Sequence, residues 1–494
     1  MEIGELRTRV EGFLREAVEE DYRNRAGLHT ESRLAAVYER HARLADRDLL
    51  LAARARRAEA PNAEERAGWE HLEEFLTVHH LEHAARDVMD RLHALEAGAA
   101  LDLEEEPVPL RAADVRLRNE ENRGRRDAIE AARCRALEGL LPHHAELWDR
   151  LHGLAQELGR PSYADLCAHI SGTALKDLAP EAETLLRETE DAYEEHLRWY
   201  ARRHLGAPFR ELKRHDLLRL FRAPQWDTAF APNAMLGACR AAPEKMGVDP
   251  AAEGRIQTDL EARPAKSSRA FVAAVEIPDR VILVTRPGGG PDDYRSFLHE
   301  LGHALHYGYT DHRLPSEFRY LGDNAVTETW AFLMDGLLSE RGWLRRFLEM
   351  DHPEDFLRLN AFHKLFLLRR YAAKLQYELA IHGQSPPRDR ADLYVTLLGR
   401  ATRAEFPREM HLSDVDLHFY AARYWRAWKF EAQLREPLVE RFDDEWYRND
   451  RTGPFLIGLW RQGQRHRAEA LAAQLGLQDA GLAPLLHQLT RHLR

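Results

Sequence analysis

The chain has 494 residues, of which 44% are hydrophobic and 31% charged, with a formal net charge of −11. That balance provides for a large buried core, argues against intrinsic disorder, and offers no long-range attraction to nucleic acid or anionic lipid. Cys134, Cys167 and Cys239 lie far apart and support neither a disulfide framework nor a thiolate metal site. No apolar run reaches the ~18 residues of a membrane span, and the opening Met-Glu-Ile-Gly-Glu-Leu-Arg lacks a signal-peptide core, so a cytoplasmic protein without membrane or nucleic-acid partners is expected.

Residues 1 to about 260 read as helix after helix, rich in Ala, Leu, Glu and Arg, with breaks near Pro61, Glu104–Pro109, Gly159–Pro161 and Pro180. Division at residue 180 separates a helical wall or lid region, 1–180, from a catalytic region, 181–494. Within the wall, His79-His80-Leu-Glu-His83 offers histidines one helical turn apart but no glutamate after the first, and reads as a solvated helix face. Arg269–Glu276 and Arg280–Thr285 then break the helical pattern as two short strands around the turn Ile277-Pro-Asp279. An exposed edge of such a pair could hold an extended peptide by main-chain hydrogen bonds. Gly288-Gly289-Gly290 lacks phosphate-loop spacing and reads as a flexible connection.

The next segment carries the chemistry. His299-Glu300-Leu-Gly-His303 is the HExxH pattern of zinc peptidases, placed on a helix expected at about 292–308. Four residues is one helical turn, so both imidazoles can reach one ion while Glu300 contacts the water it holds. With 26 histidines in the chain the five letters alone are a weak signal, and context has to support them. Asp292 and Asp293 suit an N-cap and first turn, and Gly308 suits the C-terminus. Phe297, Leu301, Ala304 and Leu305 form an apolar stripe, while His299, His303 and His306 share another face. His306 is expected beside the metal or lining the cleft, rather than on the ion.

A catalytic zinc site takes three protein ligands. The third is Asp323 or Glu328, 20 and 25 residues after His303. Asp323 stands where the next helix needs its N-cap, whereas Glu328 falls one turn inside with a longer arm, and is preferred. Beyond it, Leu365, Leu368, Ala372, Leu375 and Leu379 read as core packing. The class is mainly α with one small sheet.

His-Glu-Leu-Gly-His-Ala-Leu-His306 with Glu328 following resembles the thimet oligopeptidase and oligoendopeptidase F family of zinc metallopeptidases. His418-Phe-Tyr420-Ala-Ala-Arg-Tyr424-Trp425 resembles that family's tyrosine-rich helix. The likeness covers roughly residues 265 to 435, with a faint echo in Arg214-His-Asp-Leu-Leu218. It implies a zincin-like fold with a large helical framework, a small β-sheet next to the zinc helix and a deep substrate cleft. It also implies one zinc per chain on His299, His303 and Glu328, short unstructured peptides as substrates, Glu300 as the base, and Tyr424 and then Tyr420 as donors to the oxyanion. The sequence departs from the pattern at Phe419, where a glycine is expected, at Ala427 for a third tyrosine, and at Val415 for a histidine, leaving His418 and His411 as substitutes. Trp425 and Trp428 are expected to pack the tyrosine helix in place. The competing expectation is a zincin-fold protein that binds peptides without turning them over.

Overall fold

The structure, a computed structural model, describes residues 2–29, 31–103, 107–386, 388–477 and 481–493. In chain order its elements include α1 (Ile3–Arg25), the antiparallel pair β1 (Ala100–Leu101) and β2 (Val108–Pro109), α2 (Arg123–Glu157), α3 (Arg214–Arg222), β3 (Ile256–Asp259), β4 (Phe271–Glu276) and β5 (Arg280–Val284). Then follow α4 (Pro291–Tyr309), α5 (Asn324–Asp335), α6 (Glu354–Ile381) and α7 (Tyr420–Phe442), with further helices between them. The fold is mainly α with a small sheet beside the histidine helix, as expected. Among the described residues no helix is long and apolar enough to cross a membrane.

Two compact units emerge, each discontinuous in sequence. The first comprises Met1–His80, Pro224–Leu357 and Arg426–Gln488; the second comprises Leu81–Ala223, Arg358–Trp425 and Leu489–Arg494. Neither follows the division at residue 180. Proline and glycine breaks mark where a chain turns, and do not say which segments pack together.

In the first unit the three-stranded sheet has the order β3-β5-β4, with β3 parallel and β4 antiparallel to β5, so β4 is an edge strand. The β4–β5 hairpin lies where alternation predicts it. β3 does not: it falls in a stretch read as helical, because Ile256-Gln-Thr-Asp259 has only one buried residue and no visible period. Phe271 opposes Val284 and Ala273 opposes Ile282, and these residues form a buried cluster with Val275 and Ala26, against which Val18 and Tyr22 of α1 pack. β5 is buried at every position from Val281 to Val284, and α4 also packs along β4 and β5.

The glycine loop packs against Phe230 and Pro232. Gly289 has φ of +84°, and a Cβ there would lie 2.8 Å from Pro232, while the Gly290 amide donates to the Phe230 carbonyl at 2.8 Å. α4 begins with Pro291 after Gly290, one residue before the expected start, and leaves Asp292 and Asp293 in its first turn. Gly308 does not end it. The helix runs to Tyr309, and at Gly308 a Cβ would meet the Ile256 side chain of β3 at 2.7 Å.

Candidate metal centre

α4 and α5 cross closely enough to bring their polar faces together. The crossing point is Gly302, inside the histidine motif, where a Cβ would stand 2.6 Å from the Ala331 Cα and closer still to the Trp330 carbonyl. Only a residue without a side chain permits that approach. His299 and His303, one turn apart on α4, then face Glu328, one turn inside α5: their Nε2 atoms lie 3.3 and 3.6 Å from Glu328 Oε2. One ligand atom from each of the three falls within 4.8 Å of the others.

The outer imidazole nitrogens are held from behind. His299 Nδ1–H donates to Asp335 Oδ2 at 3.0 Å, and His303 Nδ1 is 2.8 Å from the Thr327 hydroxyl. These bonds leave both Nε2 atoms directed at the Glu328 carboxylate. Two imidazole nitrogens and a carboxylate oxygen, with their partners fixing ring orientation, are a donor set that fits a zinc-type divalent ion with a coordination position open. The sequence reading missed Asp335 and Thr327. Asp335 follows Glu328 by seven residues, two helical turns along α5, and that spacing is the signal that could have found it.

Burial sets the protonation. It lowers the His303 pKa to about 4, so that imidazole is neutral at pH 7. Burial also opposes charge on His299, but hydrogen bonds to Asp335 and Glu328 outweigh it and hold His299 well above the ordinary imidazole value. Glu300 is raised to about 7, chiefly by burial, with the His299 charge opposing and Glu328 adding to the rise. The Val272 backbone amide, on the edge strand β4, stands beside the Glu300 carboxylate. A carboxyl poised near neutrality at a strand edge, one residue from His299, can exchange a proton with a bound reactant.

Asp323 has a different occupation. It caps α5 by accepting from the Ala325 amide at 3.1 Å, receives the Arg426 guanidinium at 2.6 and 2.9 Å, and accepts from the Ala468 amide at 3.1 Å. His306 is fully buried, with Nε2 3.2 Å from the Gly463 carbonyl, and its pKa is lowered to about 3 by burial; it braces the helix and does not line a cleft. The segment at residue 79 is not the solvated helix face expected of it. His79 is only 3% exposed, stacked between Tyr38 and Phe75, and His80 Nδ1 bonds the Ala45 carbonyl at 2.7 Å, so this face is largely interior and His83 alone is exposed. Phe75 lies one turn earlier on the same helix, whereas Tyr38 comes from a distant segment and was invisible locally.

Tyr420 and Tyr424 belong to the second unit, in the first two turns of α7. Their rings meet edge to face at 5.1 Å, and Tyr424 lies 5.3 Å from Tyr371. Both are half-buried. Just before them His418 and Phe419 adopt φ of +56° and +55°, so the backbone conformation that favours glycine is kept without one. His418 Nδ1 is 3.1 Å from the Tyr163 hydroxyl, and Nε2 is 3.5 Å from Glu82. His411 Nδ1 turns back to the Arg408 carbonyl at 2.8 Å. Farther along α7, in the first unit, Trp428 stacks on Phe332 at 4.9 Å, and Phe332 lies 5.4 Å from His299. Ala427 is fully buried, its carbonyl 3.4 Å from the Thr329 hydroxyl of α5.

A mainly α framework with a small sheet beside a His-His-Glu helix pair is a zincin-like fold. Among solved structures the chain is similar to PZ peptidase A with inhibitor 2, at a TM-score of 0.63 and 16% identity over 93% of this chain and 84% of that chain. The likeness is one of fold. No protein-family model matches the chain, and no curated protein matches it.

Proposed function

We propose that this chain is a cytoplasmic zinc-dependent metallopeptidase of the thimet oligopeptidase and oligoendopeptidase F type, acting on short unstructured peptides. The observation that carries the reading is the convergence of His299, His303 and Glu328 with Glu300 placed between them and the open edge of β4. The similarity to a peptidase structure supports it.

His299, His303 and Glu328 would hold one zinc ion. When bound, zinc supplies a Lewis acid and an acidified water. Glu300 takes a proton on its carboxylate and returns it to the departing amine, a role suited to a group poised near neutrality. Asp335 and Thr327 keep the imidazoles oriented while charge moves. The edge of β4 aligns an extended peptide through its outward N–H and C=O groups, which a folded chain cannot offer to a strand. Tyr424, and secondarily Tyr420, donate to the developing oxyanion. Metal content of the purified protein, together with hydrolysis of a mixed peptide library with and without chelator, tests the reading: about one zinc per chain and chelator-sensitive cleavage are expected.

The second reading, a zincin-fold protein that binds peptides without cleaving them, is favoured by the tyrosine segment, where Ala427 is buried and His418 is occupied by Tyr163 and Glu82. Glu300 separates the two. Peptide and metal retention need no carboxyl there, whereas hydrolysis does.

A further inference from the structure

α1 carries side chains of alternating sign every four residues, Arg7, Glu11, Arg15 and Glu19, and each meets its opposite. Arg7 Nε lies 2.8 Å from Glu317 Oε2, Glu11 Oε2 2.9 Å from Arg319 Nη2, Arg15 Nη2 2.8 Å from Glu276 Oε2, and Glu19 pairs with Arg280. One exposed pair contributes little, but the four tie α1 along its length to two neighbours, the helix Ser316–Tyr320 through Glu317 and Arg319 and the β4–β5 hairpin through Glu276 and Arg280. That placement delivers the last turn of α1 to the start of the edge strand. The Arg25 guanidinium carbon lies 4.0 Å from the ring centroid of Phe271, the first residue of β4, and the next residue, Val272, has its amide beside Glu300. The Arg25 side chain is 42% exposed, held by Phe271 and, at 3.3 Å, by Asp21 one turn earlier.

An extended peptide laid along the β4 edge with its scissile bond at Glu300 therefore meets the Arg25 guanidinium near the start of that strand. A peptide's amino terminus would be repelled there; its carboxyl terminus would be bound as a fork-to-carboxylate pair. We propose that Arg25 docks the free C-terminal carboxylate of the substrate, so that the enzyme cuts peptides a short, fixed distance from that end. This rests on the metallopeptidase reading above.

The test uses one peptide of about eight residues prepared as free acid and as C-terminal amide, with the metal-loaded full chain and its Arg25→Ala and Arg25→Lys variants. The amide is expected to show about 10-fold higher KM at similar kcat. Arg25→Ala should raise the KM of the acid by a similar factor and abolish the discrimination, while Arg25→Lys, a single point charge, restores part of it. Direct binding to Glu300→Gln should show the same acid-over-amide preference without turnover. Equal KM for acid and amide, or discrimination retained by Arg25→Ala, overturns the carboxylate-docking role and leaves the peptidase reading standing. Cleavage of neither peptide by the zinc-loaded protein overturns the peptidase reading, and this inference with it.

Discussion

Two buried clusters of ionisable side chains can be set against each other, one in each unit. In the second unit Arg370 pairs with Asp414 at 2.5 Å, Lys374 with Asp416 at 2.6 Å, Tyr394 donates to Asp414 at 2.7 Å, and Glu378 accepts from the Asp416 amide at 2.8 Å. Here arginine and lysine are built in, and the cations answer the carboxylates from within the chain. In the first unit two imidazoles converge on Glu328, with Glu300 and Asp335 alongside, and no arginine or lysine is among these five; in the reading proposed above, both Nε2 atoms are oriented to take a metal ion. Burial is common to both clusters. What differs is whether the charge is closed, and closure distinguishes a structural network from a site.

Changes to the open cluster should have the largest effect, and it should fall on function. Glu328→Ala is expected to lose both metal and hydrolysis, read by elemental analysis and peptide turnover. Chelation should lower the melting temperature of the wild type, since a ligand present at ~1,000 times its Kd stabilises by about 4 kcal/mol, and leave Glu328→Ala unmoved. Glu300→Gln should keep the metal while turnover falls at least ~10²-fold. Near-normal turnover in that variant would remove Glu300 from the mechanism.

The closed cluster should respond in stability alone. Lys374→Met strands Asp416, while Asp414 keeps Arg370 and Tyr394, and is expected to cost about 1–3 kcal/mol, measured by denaturant unfolding, with metal content unchanged. The network also has a pH signature. Burial raises Glu378 to about 8, against the attraction of Lys374, so its carboxyl keeps a proton in the folded chain that the unfolded chain, titrating near ~4.3, has lost. Its stabilising contribution is full below pH ~4.3 and is lost as pH rises to about 8. Glu378→Gln should flatten that decline; an unchanged pH profile would show that Glu378 is ionised when folded.

The same contrast explains what was legible in the sequence. Ligand spacing within α4 and the position of Glu328 in α5 could be read because each depends on helical period alone. The reason for Gly302 could not, since it lies in the Ala331 backbone of another helix. Asp335 continues the same helical period two turns past Glu328 and was within reach of it; β3 was hidden by its length, and the interior role of His79 by a partner from a distant segment, Tyr38. Gly302→Ala makes the crossing measurable: overpacking there should cost about 1–3 kcal/mol and weaken metal retention, because the contact is with backbone and cannot be relieved by a rotamer change.

Tyr424→Phe is expected to lose ~10²-fold in kcat with KM and metal content little changed, and Tyr420→Phe less. The smallest effect belongs to His418, and it decides how far the tyrosine segment serves the site. His418 occupies a left-handed backbone conformation and spends its imidazole on Tyr163 and Glu82. In His418→Asn the backbone cost falls, because asparagine visits that region more readily, while a hydrogen bond worth about 1 kcal/mol is lost. The two terms oppose each other, so stability should change by less than about 1 kcal/mol, and an imidazole already committed within its own unit should leave kcat nearly as it was. A ~10²-fold fall in kcat for His418→Asn, with Tyr424→Phe close to wild type, would move the oxyanion donor from the tyrosines to His418. The strained turn at His418 and Phe419 would then be the device that aims it.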